Sequence, residues 1–138
     1  MKKYTLAMLL CGVLANAGGF SPSIQSYIAT LKSEAKQANS SFVDFNAKRG
    51  EQIFTSKHIG KKGDSISCTS CHGNNLTKNG QNATTNKIIK PLAPSVNKSR
   101  LTDTKEVQKW LRRNFKDVYN REGTALEKGD VLYYIQSK

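Results

Sequence analysis

The stretch Cys68-Thr69-Ser70-Cys71-His72 constrains this chain more than any other. Two thiols three positions apart fit one helical turn, and a histidine directly follows the second. That spacing lets both sulfurs reach the vinyl groups on one edge of a porphyrin. The imidazole then turns beneath the ring toward the metal, which is the attachment pattern of one covalently bound haem c. Three plainer readings fall short. A thioredoxin-like redox pair wants a strand before the motif and a βαβ pattern around it, and the sequence suggests neither. A zinc site needs four ligands. Beyond the motif only His58 and a carboxylate are on offer, because Cys11 sits in a segment with the character of a cleaved leader. A Cys68–Cys71 disulfide would close a loop too short to gain much chain entropy.

The leader reads as an export signal. Lys2 and Lys3 precede the apolar run from Thr5 to Leu14, and Ala15-Asn16-Ala17 resembles a cleavage site. The run is too short to span a bilayer. A lipid anchor on Cys11 would want a small residue before it, where Leu10 stands. The expected organisation is a signal peptide over 1–17 and a cytochrome c domain over 18–138, located in the periplasm. The cysteines left after cleavage are Cys68 and Cys71. A small exported domain is usually stapled by disulfides. Here the apolar, covalently held haem takes that role.

The formal charge of +12 on 138 residues is strongly basic. No aromatic-basic motif accompanies it, which argues against nucleic acid. A solvated surface accounts for the charge, and so does steering toward an acidic redox partner or weak association with an anionic membrane surface.

The pattern predicts an all-α fold of about four helices around the haem, similar to a small class I cytochrome c. Ile24, Tyr27, Ile28, Leu31, Ala35 and Ala38 recur at helical spacing after Ser21-Pro22-Ser23, predicting a helix over residues 22–38. A second helix is expected over 43–55. In it Gly50 would be the contact point for another helix, and Phe54 would cover the haem edge. Residues 57–66 read as a Gly/Lys-rich loop and 73–87 as a polar exposed loop. The apolar stretch 88–96, with Pro91 and Pro94, is expected to pack on the proximal side and offer a carbonyl to His72 Nδ1. Asp103 with Glu106, and Thr124 with Glu127, are capping-box signatures. They open helices predicted to end near Asn120 and Gln136, the last with Leu126, Leu132, Tyr133 and Ile135 in its core. No strand pair is predicted.

The second axial position is the informative one. The methionines are Met1 and Met8, both in the leader, so the mature chain has no donor for His/Met ligation. His58, a lysine, an asparagine, water or an open position remain. His58 stands among Lys57, Lys61 and Lys62 and reads as a surface histidine. On the helix after Asp103, at about 100° per residue, Trp110, Asn114, Val107, Val118, Leu111 and Phe115 share one apolar stripe. Lys105, Lys109, Arg112, Arg113 and Lys116 lie opposite. An amide inside that stripe needs a partner. Iron would serve, and so would a haem propionate or a loop carbonyl; spacing alone leaves this open.

Residues 45–54, Ser67 to Gly73, Ile89-Lys90-Pro91-Leu92-Ala93-Pro94-Ser95, Lys109-Trp110-Leu111-Arg112-Arg113-Asn114 through Val118, and Glu127 to Leu132 together resemble the sphaeroides-haem-protein type of monohaem cytochrome c. The resemblance covers nearly all of the mature chain. It implies thioether anchors at Cys68 and Cys71, His72 as proximal ligand and Asn114 as a distal ligand displaced when ferrous iron binds oxygen or nitric oxide. It also implies electrons accepted from a dihaem or membrane cytochrome. The family carries a cysteine directly after the ligand asparagine, bridged to another several residues on. Those places are Phe115 and Gly123 in this chain, so that bridge cannot form. The function expected is electron transfer rather than enzymatic turnover. A haem enzyme, or a gas scavenger or sensor acting on oxygen, nitric oxide or peroxide, is the alternative. No distal acid-base residue is evident for an enzyme.

Overall fold

The computed structural model describes residues 19–138; the expected signal peptide over 1–17 lies outside them. Helix α1, Pro22–Ala38, buries Ile24, Ile28, Leu31 and Ala35, which recur at intervals of one helical turn. Pro22 at its start matches the preference for a residue that lacks the unneeded N–H.

Helix α2, Ala47–Thr55, begins four residues later than the apolar pattern predicted. Asn46 is extended and its side chain accepts from the Arg49 N–H at 3.0 Å, which fixes the start. Val43 is left exposed, while Phe45 packs inward.

Helix α5, Ala125–Gln136, lies against α2 and α1. Its predicted capping box forms: Thr124 Oγ1 accepts from the Glu127 N–H, and Glu127 returns a bond to the Thr124 N–H. Leu132 and Ile135 are buried as expected, joined by Val131 and Tyr134; Leu126 and Tyr133 are only partly covered.

Gly50 is the point of closest approach between α2 and α5, because a Cβ there would run into the Asp130 carbonyl. Beside it the buried Asp130 carboxylate accepts from Arg49 Nε at 2.8 Å, Arg49 Nη2 at 2.9 Å and the Asn46 N–H at 2.6 Å. These bonds clamp the two helices at the height of the glycine.

Helix α4, Thr104–Tyr119, is capped by Asp103, which accepts from the Glu106 N–H. Glu106 does not close the expected box; its carboxylate turns outward to Lys109 and to Trp110 Nε1. Leu111, Phe115 and Val118 face the core, and the helix ends at Asn120 in the left-handed conformation.

Two short antiparallel ribbons correct the expectation of no strands. The first pairs β1, His58–Ile59, with β2, Ser65–Ile66. The second pairs β3, Gly80–Gln81, with β4, Ile88–Ile89. The first turns the expected 57–66 loop into a clip on α4: the Lys61 N–H donates to the Asp117 carbonyl at 2.9 Å, and a Cβ at Gly60 would stand 2.5 Å from that oxygen. Among the described residues no helix is long and apolar enough to cross a membrane.

Candidate functional site

The Cys68–His72 stretch folds as one turn, α3, Thr69–His72, with Cys68 at its N-cap. Ser67 is buried and its N–H donates to Ser70 Oγ at 3.0 Å, so the turn is nucleated by its own hydroxyls. The Cys71 and His72 N–H groups donate to the Cys68 carbonyl at 3.3 and 3.0 Å. Gly73, at φ +70°, stops the helix immediately after the histidine. One turn is therefore all that forms, and it carries both thiols and the imidazole.

Cys68 and Cys71 are free of disulfides and half-buried. Burial, with Cys71 beside it, pushes the Cys68 thiol up to about 12. That is the opposite of the activated thiolate of a redox pair. Burial, with Arg100 nearby, pushes His72 down to about 4. Its imidazole is neutral at pH 7 and keeps a lone pair for a metal.

The walls come from distant segments. The Phe54 ring lies 5.8 Å from His72 and 5.3 Å from Tyr134, which joins α2 and α5 to the turn. On the other side Gly80 rests on the motif's backbone, where a Cβ would come within 2.9 Å of His72 Cα. The Leu92 and Ala93 N–H groups both donate to the Leu76 carbonyl at 3.0 Å, which pins the Pro-Leu-Ala-Pro stretch. The Pro91 carbonyl is taken by Asn97 Nδ2 and Arg100 Nε. Among the described residues no carbonyl bonds to the His72 ring, so the expected proximal hydrogen bond is not formed from this stretch.

Asn114 is half-buried on α4, between the buried Leu111, Phe115 and Val118. Among the described residues its amide has no hydrogen-bond partner. His58 is not the surface residue expected: its ring stacks on Tyr119 at 3.9 Å, and Nε2 is buried without a partner. Tyr119 in turn donates to the Ile53 carbonyl at 2.7 Å. Nothing in the sequence around His58 signals this, because its cover arrives from a residue 61 positions later. Arg100 was also missed, as no local pattern marks it as a neighbour of His72.

Two unpaired thiols, a neutral imidazole and partly buried polar atoms without partners suit a covalently held haem; they do not suit a zinc ion, since no cluster of three or more metal-ligating side chains exists among the described residues.

Phe115 and Gly123 meet. A Cβ at Gly123 would lie 2.6 to 2.8 Å from three atoms of the Phe115 ring, and that ring is 5.2 Å from Tyr119. The bare glycine face thus receives the aromatic side chain next to Asn114. Gly123→Ala is expected to destabilise the holoprotein by about 1–3 kcal/mol, because the ring must leave its place. Chemical denaturation measures this, and an unchanged midpoint would show that the ring can shift freely.

Comparison with known proteins agrees with this geometry. Residues 40–135 match a family described as a domain of unknown function, DUF1924. Cytochrome c-type protein SHP of Cereibacter sphaeroides is 39% identical over 139 residues, covering 97% of this chain and 99% of that protein. The structure of oxidised SHP, described as an oxygen-binding cytochrome c, superposes with a TM-score of 0.73 at 38% identity, covering 83% of this chain and 96% of that one. The solution structure of cytochrome c'' from Methylophilus methylotrophus, described in terms of haem-ligand detachment, gives 0.74 at 28% identity over 84% of this chain and 94% of that one. With its single-turn attachment motif and its helical frame, the chain belongs to this family, as a small all-α monohaem cytochrome c of the SHP type.

Proposed function

We propose that this protein is a periplasmic one-electron carrier whose second axial haem position is weakly held by Asn114, leaving the reduced form open to oxygen or nitric oxide. The observation that carries the reading is the amide of Asn114, half-buried on the apolar face of α4 and without a partner among the described residues. Asn114 stands in the apolar stripe with Leu111, Phe115 and Val118, where an axial bond would give its amide a partner. Cys68 and Cys71 are the covalent anchors and His72 is the proximal ligand in this reading. When bound, the haem supplies a one-electron iron couple and an axial site for a diatomic gas.

The chain's own residues set the conditions for that chemistry. His72, held neutral by burial, offers its lone pair without first losing a proton. Asn114 offers a hard, neutral oxygen, which favours ferric over ferrous iron more than a thioether does. With Asn114 in that role the potential would be lower than in a His/Met cytochrome, and the side chain would yield more readily on reduction. The basic surface suits an acidic donor such as a dihaem or membrane cytochrome. The opposing observation is His58 Nε2, which is buried and also unpartnered.

Absorbance spectra of both oxidation states, with and without carbon monoxide or nitric oxide, test the proposal. A ferrous spectrum that changes on adding either gas is expected. A ferrous haem indifferent to both would end the labile-Asn114 reading. A ferric spectrum altered by His58→Ala but not by Asn114→Ala would move the ligand to His58.

A further inference from the structure

Arg100 carries a half-buried positive charge that no carboxylate balances among the described residues. Arg49, Arg112, Arg113 and Arg121 are all exposed. The arginines that bridge separate segments meet acids, Arg49 at Asp130 and Arg121 at Glu127. Around Arg100 the sequence offers none, since residues 65–102 contain no Asp or Glu. Its acceptors are backbone oxygens: Nε donates to the Pro91 carbonyl at 3.0 Å and Nη2 to the Lys90 carbonyl at 2.8 Å. Carbonyls orient a guanidinium without neutralising it. Burial accordingly works against the charge and lowers the Arg100 pKa.

The backbone is bent at this point and held from several sides. Leu101, the next residue, is left-handed at φ +53°, an uncommon and strained conformation for leucine. Its side chain packs against the core. Ser21 Oγ donates to the Leu101 carbonyl at 3.4 Å, and Ser23 Oγ to the Thr102 carbonyl at 3.2 Å. Asn97 Nδ2 shares the Pro91 carbonyl with Arg100, at 2.9 Å. Strain that the surroundings hold in place is a mark of ligand clamps. Here the strained link and the shared carbonyl fix where one guanidinium points.

Its location points to one kind of partner. The Arg100 charge is felt at His72, so it stands near the imidazole that carries the iron in the reading above. A haem c linked through Cys68 and Cys71 keeps its propionate carboxylates. We infer that Arg100 is the binding residue for a haem propionate and that its charge raises the reduction potential of the iron. The inference rests on His72 as the proximal ligand, and it stands whatever fills the distal position. Arginine suits the role, because its planar fork can serve the two carbonyls and a carboxylate together. With Arg100 beside it, the propionate's negative charge favours ferric iron less, and reduction becomes easier. A free anion such as inorganic phosphate is the competing source of the same charge.

The test is redox titration and resonance Raman spectroscopy of the holoprotein as wild type, Arg100→Gln, Arg100→Lys and Lys98→Gln. Arg100→Gln is expected to raise the ferric-to-ferrous ratio at a fixed potential about tenfold, a downward shift of about 59 mV for one electron. The propionate bending band should move with it. Arg100→Lys keeps the charge without the fork, so it should shift the band yet recover part of the potential. Lys98→Gln removes an exposed neighbouring charge that donates to the Ser95 carbonyl, and should change the ratio by less than about twofold. An unmoved propionate band, or an equal loss of potential with Gln and Lys, overturns the assignment and leaves Arg100 a backbone brace. A wild-type potential that follows added phosphate at constant ionic strength overturns it in favour of a free anion. If Arg100→Gln fails to fold around its haem, the propionate band of Arg100→Lys decides alone. A reduced wild type with no iron–imidazole stretching band would sink His72 as proximal ligand, and the role of Arg100 with it. Ferrous iron indifferent to gases would sink only the labile-Asn114 reading.

Discussion

Asn114→Ala is expected to raise the carbon monoxide affinity of the reduced protein by the inverse of the fraction of molecules in which Asn114 is off the iron. A side chain bound in 99 of 100 ferrous molecules would suppress the apparent affinity about 100-fold, so its removal restores that factor, or about 2.7 kcal/mol. The ferric spectrum should change as well, because a protein ligand is lost. The fold should tolerate the substitution: alanine is the better helix former, and among the described residues the Asn114 amide has no hydrogen bond to lose. Asn114→His supplies the contrasting arm, since imidazole is a stronger ligand and should lower gas affinity. A carbon monoxide titration of the three proteins measures both effects. Identical curves for wild type and Asn114→Ala would remove Asn114 from the haem.

The second large effect concerns Gly50, where two principles predict opposite signs. Replacing a glycine in the middle of a helix with alanine ordinarily stabilises by about 1 kcal/mol. Here the new Cβ would run into the Asp130 carbonyl and stand 2.9 Å from Tyr134 Cβ. Backbone on the neighbouring helix cannot swing aside as the end of a side chain can. To make room α2 and α5 must separate, and the Arg49–Asp130 clamp is pulled apart with them. The expected outcome of Gly50→Ala is a net loss of about 3 kcal/mol or more. Denaturant titration of the holoprotein reads it, and a gain in stability would show that the helices are not in hard contact.

Much of this structure was legible where the controlling interactions are local. The α1 stripe, the stop at Gly73 and the Thr124–Glu127 box each depend on residues within a turn or two of one another. The family resemblance likewise lay in contiguous stretches such as Pro91 to Pro94. The reading weakened where the decisive partner is far along the chain. No local pattern marks Asp130 on α5, but Arg49, 81 positions earlier, makes it a buried anchor. His58 looked exposed among lysines until Tyr119 covered it. The two ribbons were missed because strands of two residues have no alternation to detect. They exist because Gly60 and Gly80 let backbone lie directly on α4 and on the Cys71–His72 backbone. The expected start of α2 at Val43 was too early, because only the Asn46 cap marks where the helix begins.

The contact between Phe115 and Gly123 bears on how the protein is made. It restrains the end of α4 by shape, with no cysteine at either position. Beyond residue 18 the sequence therefore contains just two thiols, Cys68 and Cys71. With the proposed leader and its Cys11 removed, a chain meeting an oxidant before its haem would have one intramolecular disulfide open to it, Cys68–Cys71. One reduction returns it to the state that accepts the cofactor. Assembly would then need a reductant for that one bond and no isomerase.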